Sequence, residues 1–339
     1  MPQLYVATNG LSVWKSDDLG ATIARMPSGT NLYSGSQVWA LASHPSAPRF
    51  LFAGTDSGLY RLDRVQNRFT HLPSPMDGER LVTAIAFAPA DPNTIITGTQ
   101  PSALYRTSDG GRSWAKLETA MKRYTTSGFY GSDRPGFADD GGNGTVKHWT
   151  RVTQVLIDPA DPARIWAGVE IDGAWTSGDG GQSWERVSQG LETDDIHGFA
   201  LVSDGGPLLA TTNAGPHVSH DRGRSWARIP IDSPWQYVRS VVERPDGSGV
   251  LLMTNGNGPP GSAGRLFRSR DRGATWHEVT LPGTVESSLY FLAAHPSDPK
   301  LVFAAATLGQ LYRSDDGGES WIALTARLPE IRALAWLPD

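Results

Sequence analysis

The chain has no cysteine among its 339 residues. That excludes disulfides, thiolate metal sites and a cysteine nucleophile, and leaves any cofactor to oxygen or imidazole ligands. Charge is sparse too: 19% of residues are Asp, Glu, Lys or Arg, the net charge is −5, and no block of basic residues stands out. The electrostatic footprint of a nucleic-acid binder is therefore missing. No run of 18 apolar residues exists, which removes membrane-spanning helices and a membrane partner. The opening MPQLYVATNGLSVW lacks a basic segment followed by an unbroken apolar stretch, so the expectation is a soluble, cytoplasmic protein.

What the chain does have is 38 Gly, 24 Pro and 12 Trp, a composition that suits many short strands joined by tight turns. One eight-residue box recurs: TSDGGRSW ending at Trp114, SGDGGQSW at Trp184, SHDRGRSW at Trp226, SRDRGATW at Trp276 and SDDGGESW at Trp321. Two weaker copies precede them, SDDLGATI ending at Ile23 and QNRFTHL centred on Phe69. Successive steps are 46, 45, 70, 42, 50 and 45 residues, and the stretch from Trp321 through the chain ends to Ile23 is again one period, 41 residues. Such a period marks a repeat architecture.

Each period carries an apolar strand ending in a proline turn (ALASHPSAP, AIAFAPADP, VLIDPADP, LAAHPSDP), then a second strand, a third, the box, and a fourth strand through the Trp. The C-terminal IRALAWLPD reads as a first strand, and LYVATNG with LSVWKSDD as the second and third of the same unit. The expectation is all-β: one seven-bladed β-propeller over residues 1–339, with four-stranded antiparallel blades and the two chain ends paired in one of them. The 70-residue step places an insertion at about 118–150 on the ligand face.

Within S-x-D-x-G-x-[ST]-W every residue has a structural job. Asp and Ser bond backbone N–H groups in a turn, Gly supplies positive φ, and Trp buries a flat surface between blades. The boxes answer to shape. At these residues the chain resembles the Asp-box, or bacterial neuraminidase repeat, propellers, a sialidase-like superfamily with xyloglucanase-type, sortilin-type and photosystem II assembly-factor-like members. The resemblance implies a propeller and spans glycosyl hydrolases and binding scaffolds alike. The arginine-isoleucine-proline segment of sialidases has as its nearest string here Arg25-Met26-Pro27, after the first box rather than ahead of it.

Aligning first strands on their proline turns brings Trp39, Thr83, Thr153, Arg239, Tyr290 and Arg332 to one position, and Gln37, Leu81, Arg151, Tyr237, Ser288 and Glu330 to the position two residues earlier. By the period of two these share one face of each strand, near the channel mouth. Arg151, Arg239 and Arg332 suit a carboxylate, phosphate or sulfate, each as a planar fork of donors. The alternative is that each pairs with an acid such as Glu170 or Glu330 and ties blades together. Trp39, Trp149 and Trp235, with Tyr124, Phe129, Tyr130 and Phe137 of the insertion, suit stacking on sugars or packing of the loop. Glu170 and Asp172 are the candidate acid/base pair, Tyr237 and Tyr290 auxiliary donors, and His148 and His197 candidate bases, the latter beside Asp194 and Asp195.

The spacing matches no metal motif, so no cofactor is expected. A divalent cation at His148 and His197 with Asp139 or Asp140 is the open alternative. The favoured reading is a hydrolase or lyase acting on a small anionic ligand, an acidic sugar or glycan. The alternative is a non-catalytic propeller that binds a peptide or protein partner at the same face.

Overall fold

In the computed structural model, which describes residues 1–125, 138–139 and 147–339, seven four-stranded antiparallel sheets surround an axial channel. The sheets are blades of a propeller, each running from an innermost first strand to an outermost fourth. Apart from two 3-10 turns, Ser28–Thr30 and Pro75–Gly78, the described elements are strands, and no helix is long and apolar enough to cross a membrane.

The first strands, taken from blade one, are Ile331–Leu337, Val38–Ala42, Leu81–Ala88, Arg151–Ile157, Ile196–Leu201, Tyr237–Glu243 and Leu289–His295. Each touches the next, and Leu289–His295 touches Ile331–Leu337, so the ring is closed. Blade one is built from both chain ends: Ile331–Leu337 pairs antiparallel with Gln3–Thr8, which pairs with Val13–Ser16 and then Ala24–Arg25.

Strands of this composition bury both faces. Seven apolar clusters fill the seven gaps between neighbouring blades. Between blades four and five, for example, Trp166, Val187, Ile196, Phe199 and Trp226 pack together. Each buried side chain of this size contributes about 1.5–3 kcal/mol, whereas a surface ion pair gives about 0–1 kcal/mol, so the gaps hold the ring and the ion pairs trim it. Close approach is paid for in side-chain size: a Cβ on Gly98 would lie 2.4 Å from the Val152 side chain of the next blade.

The repeated box is a turn held by its own side chains. In the box from Ser219 to Trp226, Ser219 Oγ accepts from Gly223 N at 2.7 Å and donates to Asp221 Oδ1 at 2.8 Å. Asp221 in turn accepts from Ser225 N at 2.9 Å and Ser225 Oγ at 2.6 Å, and Gly223 sits at φ 92°. The weak first copy makes the same bonds around Asp18, and Ile23 in place of Trp forgoes only the indole N–H bond that Trp184, Trp276 and Trp321 donate to a Gly carbonyl of their own turns. Hydrogen bonds from Thr22 and Ser225 hold Asp18 and Asp221 down to about 2, far below an ordinary carboxylate. Blade two lacks the network and buries Phe69 instead. The fourth strands begin after the Trp rather than running through it, as Ala227–Arg228 and His277–Val279 show, because the Trp still belongs to the turn.

In the insertion, Lys147–Trp149 pairs on one side with Tyr124–Thr125 and on the other with Ala138–Asp139. Phe129, Tyr130, Phe137 and Asp140 lie outside the described residues.

Candidate functional site at the channel mouth

Each first strand starts with an apolar anchor at most 1% exposed: Val38, Val82, Val152, Ile196, Val238, Leu289 or Ile331. The anchor pairs with the second strand, and in every blade the ladder slips immediately after it. A bulge of this kind re-aims the unpaired side chain. The residues so placed are Trp39, Thr83, Thr153, His197, Arg239, Tyr290 and Arg332, one per blade, and all seven line a cavity of about 270 Å³ together with Arg151 and Gln154.

The two threonines face backbone. Thr83 Oγ1 donates to Val152 O at 2.7 Å and Thr153 Oγ1 to Ile196 O at 2.8 Å, which ties neighbouring blades. The arginines differ from one another. Arg151 pairs with Glu170 at 2.9 Å, and Arg332 pairs with Glu330. Both lie over the Trp39 ring, with guanidinium carbons 5.0 and 4.1 Å from its centre. Arg239 forms no ion pair among the described residues: its Nη1 reaches the Tyr237 hydroxyl at 3.4 Å and its guanidinium lies 4.8 Å from the Tyr290 ring centre.

Burial lowers the pKa of Arg332, Glu330 opposes that, and the like charges of Arg151 and Arg239 lower it further, so the three cations feel one another. For Arg239 burial also opposes the charge, but Tyr237, Tyr290, Glu170 and Asp195 outweigh it. Tyr237 and Tyr290, hydroxyls 3.2 Å apart, are both pushed up, chiefly by burial. They are neutral donors at ordinary pH. The mouth is thus a cationic pocket in which Arg239, alone of the three arginines, makes no ion pair among the described residues, with Glu170 and Asp195 favouring its charge from further off.

On the blade-five side, His197 packs 4.8 Å from the Tyr237 ring and sets Nδ1 2.6 Å from Val238 O and Nε2 3.4 Å from Asp195 Oδ2. Asp195 and His197 flank the Ile196 anchor. Alignment on proline turns passed over them because the first turn of blade five, SDGG, has no proline; alignment on the buried anchor brings His197 into the same set.

Of the remaining expected site residues Glu170 stays beside the mouth and the others lie elsewhere. Glu170 and Asp172 are separated by Ile171 at φ 64°, and the chain turns between them. Glu170 meets Arg151, whereas Asp172, 2% exposed, accepts from Lys122 N at 2.9 Å and so anchors the start of the insertion. Burial raises the Asp172 carboxyl, opposed by Lys122. His148 is buried within the insertion's own strand. Trp149 packs edge-on to Tyr124 with Arg80 over its ring, and Trp235 lies under Arg265 in a separate hollow on blade six.

Several known proteins share this architecture. Residues 216–333 match the family described as Sortilin, neurotensin receptor 3. A xyloglucanase of Hypocrea jecorina is 25% identical over 86% of the chain and 39% of its own length. The crystal structure of the GH74 xyloglucanase from Xanthomonas campestris superposes with a TM-score of 0.64 at 19% identity, covering 96% of this chain and 47% of that one. A structure described as YCF48 bound to D1 peptide superposes with a TM-score of 0.55 at 14% identity, covering 86% of this chain and 82% of that one. The chain spans less than half the length of the curated xyloglucanases it matches.

Proposed function

We propose that this chain is an Asp-box propeller acting as a carbohydrate-active hydrolase, and that its channel mouth holds an anionic group of a glycan. The observation that carries the reading is Arg239. A half-buried guanidinium with no ion-pair partner among the described residues gains when an anion completes it, and its forked donors fit a planar carboxylate or a sulfate. Trp39 lies beneath the Arg151 and Arg332 guanidiniums and holds them at the mouth, where their charge adds to that of Arg239. Proton transfer falls to the adjoining Glu170, Asp195 and His197, with Tyr237 and Tyr290 as hydrogen-bond donors. The similarity to xyloglucanases supports the glycan and the hydrolysis; the arginines support the negative charge.

The test is turnover and binding of the full chain on uronic-acid, sialic-acid and sulfated oligosaccharides beside neutral xyloglucan fragments. Binding of an acidic member that is lost in Arg239→Ala supports the reading. Equal affinity of wild type and variant for every member sinks it. A second reading, a peptide-binding scaffold, is favoured by the superposition on the peptide-bound YCF48 structure, which covers 86% of this chain. A peptide library retained at the mouth, with no turnover of any glycan, would choose it.

A further inference from the structure

We propose that Glu170, Asp195 and His197 form a binding site for a divalent transition-metal ion, zinc or manganese, where blades four and five meet at the channel mouth. One carboxylate oxygen of each acid and one ring nitrogen of the histidine lie within 4.8 Å of one another. Glu170 ends the second strand of blade four, Ile165–Glu170, and Asp195 and His197 bracket the start of the first strand of blade five. The bulge after the Ile196 anchor turns His197 toward Asp195, Nε2 lying 3.4 Å from Asp195 Oδ2.

The histidine is the second, independent observation. Val238 O can only accept, so the 2.6 Å contact fixes the proton on Nδ1. Nε2 is the atom that faces Asp195 Oδ2. The His197 side chain is 1% exposed, and Nε2 has no hydrogen-bond partner among the described residues; Asp195 Oδ2, at 3.4 Å, is out of hydrogen-bond geometry. A sealed lone pair facing a carboxylate is repulsive, and a shared cation turns that repulsion into coordination. An imidazole that ligates a metal through one nitrogen while donating the other N–H to a backbone carbonyl is the usual arrangement of such ligands.

Arg151 meets Glu170 at Oε2, and a carboxylate has a second oxygen with which to hold an ion. One imidazole with two carboxylates is a borderline donor set that suits zinc or manganese better than calcium, which takes 6–8 oxygens. Tetrahedral zinc with ligands at about 2.0–2.1 Å would draw the donors to about 3.3 Å apart, a closure that side-chain rotation of the half-buried Glu170 can supply. Three protein ligands leave a coordination position toward the cavity lined by Arg239. The inference concerns groups that the glycan reading also uses, but its readout is metal and not turnover, so either can fail alone.

The experiment is calorimetric titration of the chelator-treated full chain with zinc and with manganese. The expected result is one ion per chain, with affinity falling at least tenfold in His197→Ala and in Asp195→Asn, and a rise in Tm on adding the ion to wild type only. Absence of binding overturns the proposal, as does one-to-one binding that survives both substitutions, which would place the ion elsewhere. Because His197→Ala opens a buried cavity, wild-type protein with manganese is also read by electron paramagnetic resonance: a nitrogen-coupled signal supports the site, and the spectrum of the aquo ion alone overturns it.

Discussion

The two faces of the ring use repetition in opposite ways. On the box face the same residues return: Ser or Thr, Asp, Gly and a second hydroxyl make the same bonds around Asp18, Asp109, Asp179, Asp221, Asp271 and Asp316. At the mouth the backbone repeats and the side chains do not, so one bulge presents Trp, Thr, Thr, His, Arg, Tyr and Arg in turn. A feature copied into six blades answers to folding, because six equivalent chemical centres would serve no single ligand. A feature whose frame is copied while its side chains vary is where a ligand can be told apart from its competitors.

The comparison breaks most severely if the frame itself is removed. Deleting Ile331–Leu337 strips Ile331, Leu334, Trp336 and Leu337 from two inter-blade gaps. At about 1.5–3 kcal/mol each this is about 6–12 kcal/mol, comparable with the whole 5–15 kcal/mol stability of a typical protein. Denaturant unfolding should lose its cooperative transition, and a chain that still unfolds in one sharp step would show that closure matters little.

Arg239→Ala separates the faces. Acidic glycan affinity should fall about tenfold to a hundredfold, the about 1.5–3 kcal/mol of hydrogen bonds to a charged group. Stability should change little, since Arg239 is half-buried and makes no ion pair among the described residues. A fall in Tm by several degrees with affinity intact would give Arg239 to the frame.

Trp39→Ala is expected to be milder. It removes the ring beneath both Arg151 and Arg332, a contact of about 0.5–2 kcal/mol, and should weaken glycan binding about threefold to tenfold. Unaltered affinity would show that the paired arginines need no such platform.

The smallest effect belongs to the boxes. Asp18 and Asp221 are held near 2, below the roughly 3.9 of an unfolded chain, so their stabilisation is present above about pH 4 and is lost as pH falls through the folded value. Between about pH 4 and 2, Asp221→Asn should show a shallower loss of Tm than wild type, with mouth binding at neutral pH unaffected. Identical slopes would remove the carboxylate from the account of the turn.

The architecture was legible because its signals are periodic. Five boxes and two weaker copies fix the count at seven, and IRALAWLPD completing the blade of LYVATNG fixes the closure. The mouth was legible only where a proline turn gave a common origin, so Trp39, Arg239, Tyr290 and Arg332 fell into line while His197 did not. Pairings that depend on a single torsion were beyond reach: positive φ at Ile171 sends Glu170 and Asp172 to different partners two residues apart. Trp149 and Trp235 looked like ligand platforms because nothing in their neighbourhood in sequence announces Arg80 and Arg265.

The slipped register after each anchor has a consequence for how such a surface can be rewritten. The residue there carries no ladder pairing to the second strand, and its neighbour, the anchor, does the packing. Thr83, Thr153 and His197 still bond the backbone of the next blade, which leaves Trp39, Arg239, Tyr290 and Arg332, in contact with one another, to be exchanged as a set. A designer wanting a new specificity would leave the sheets alone and shuffle that collar.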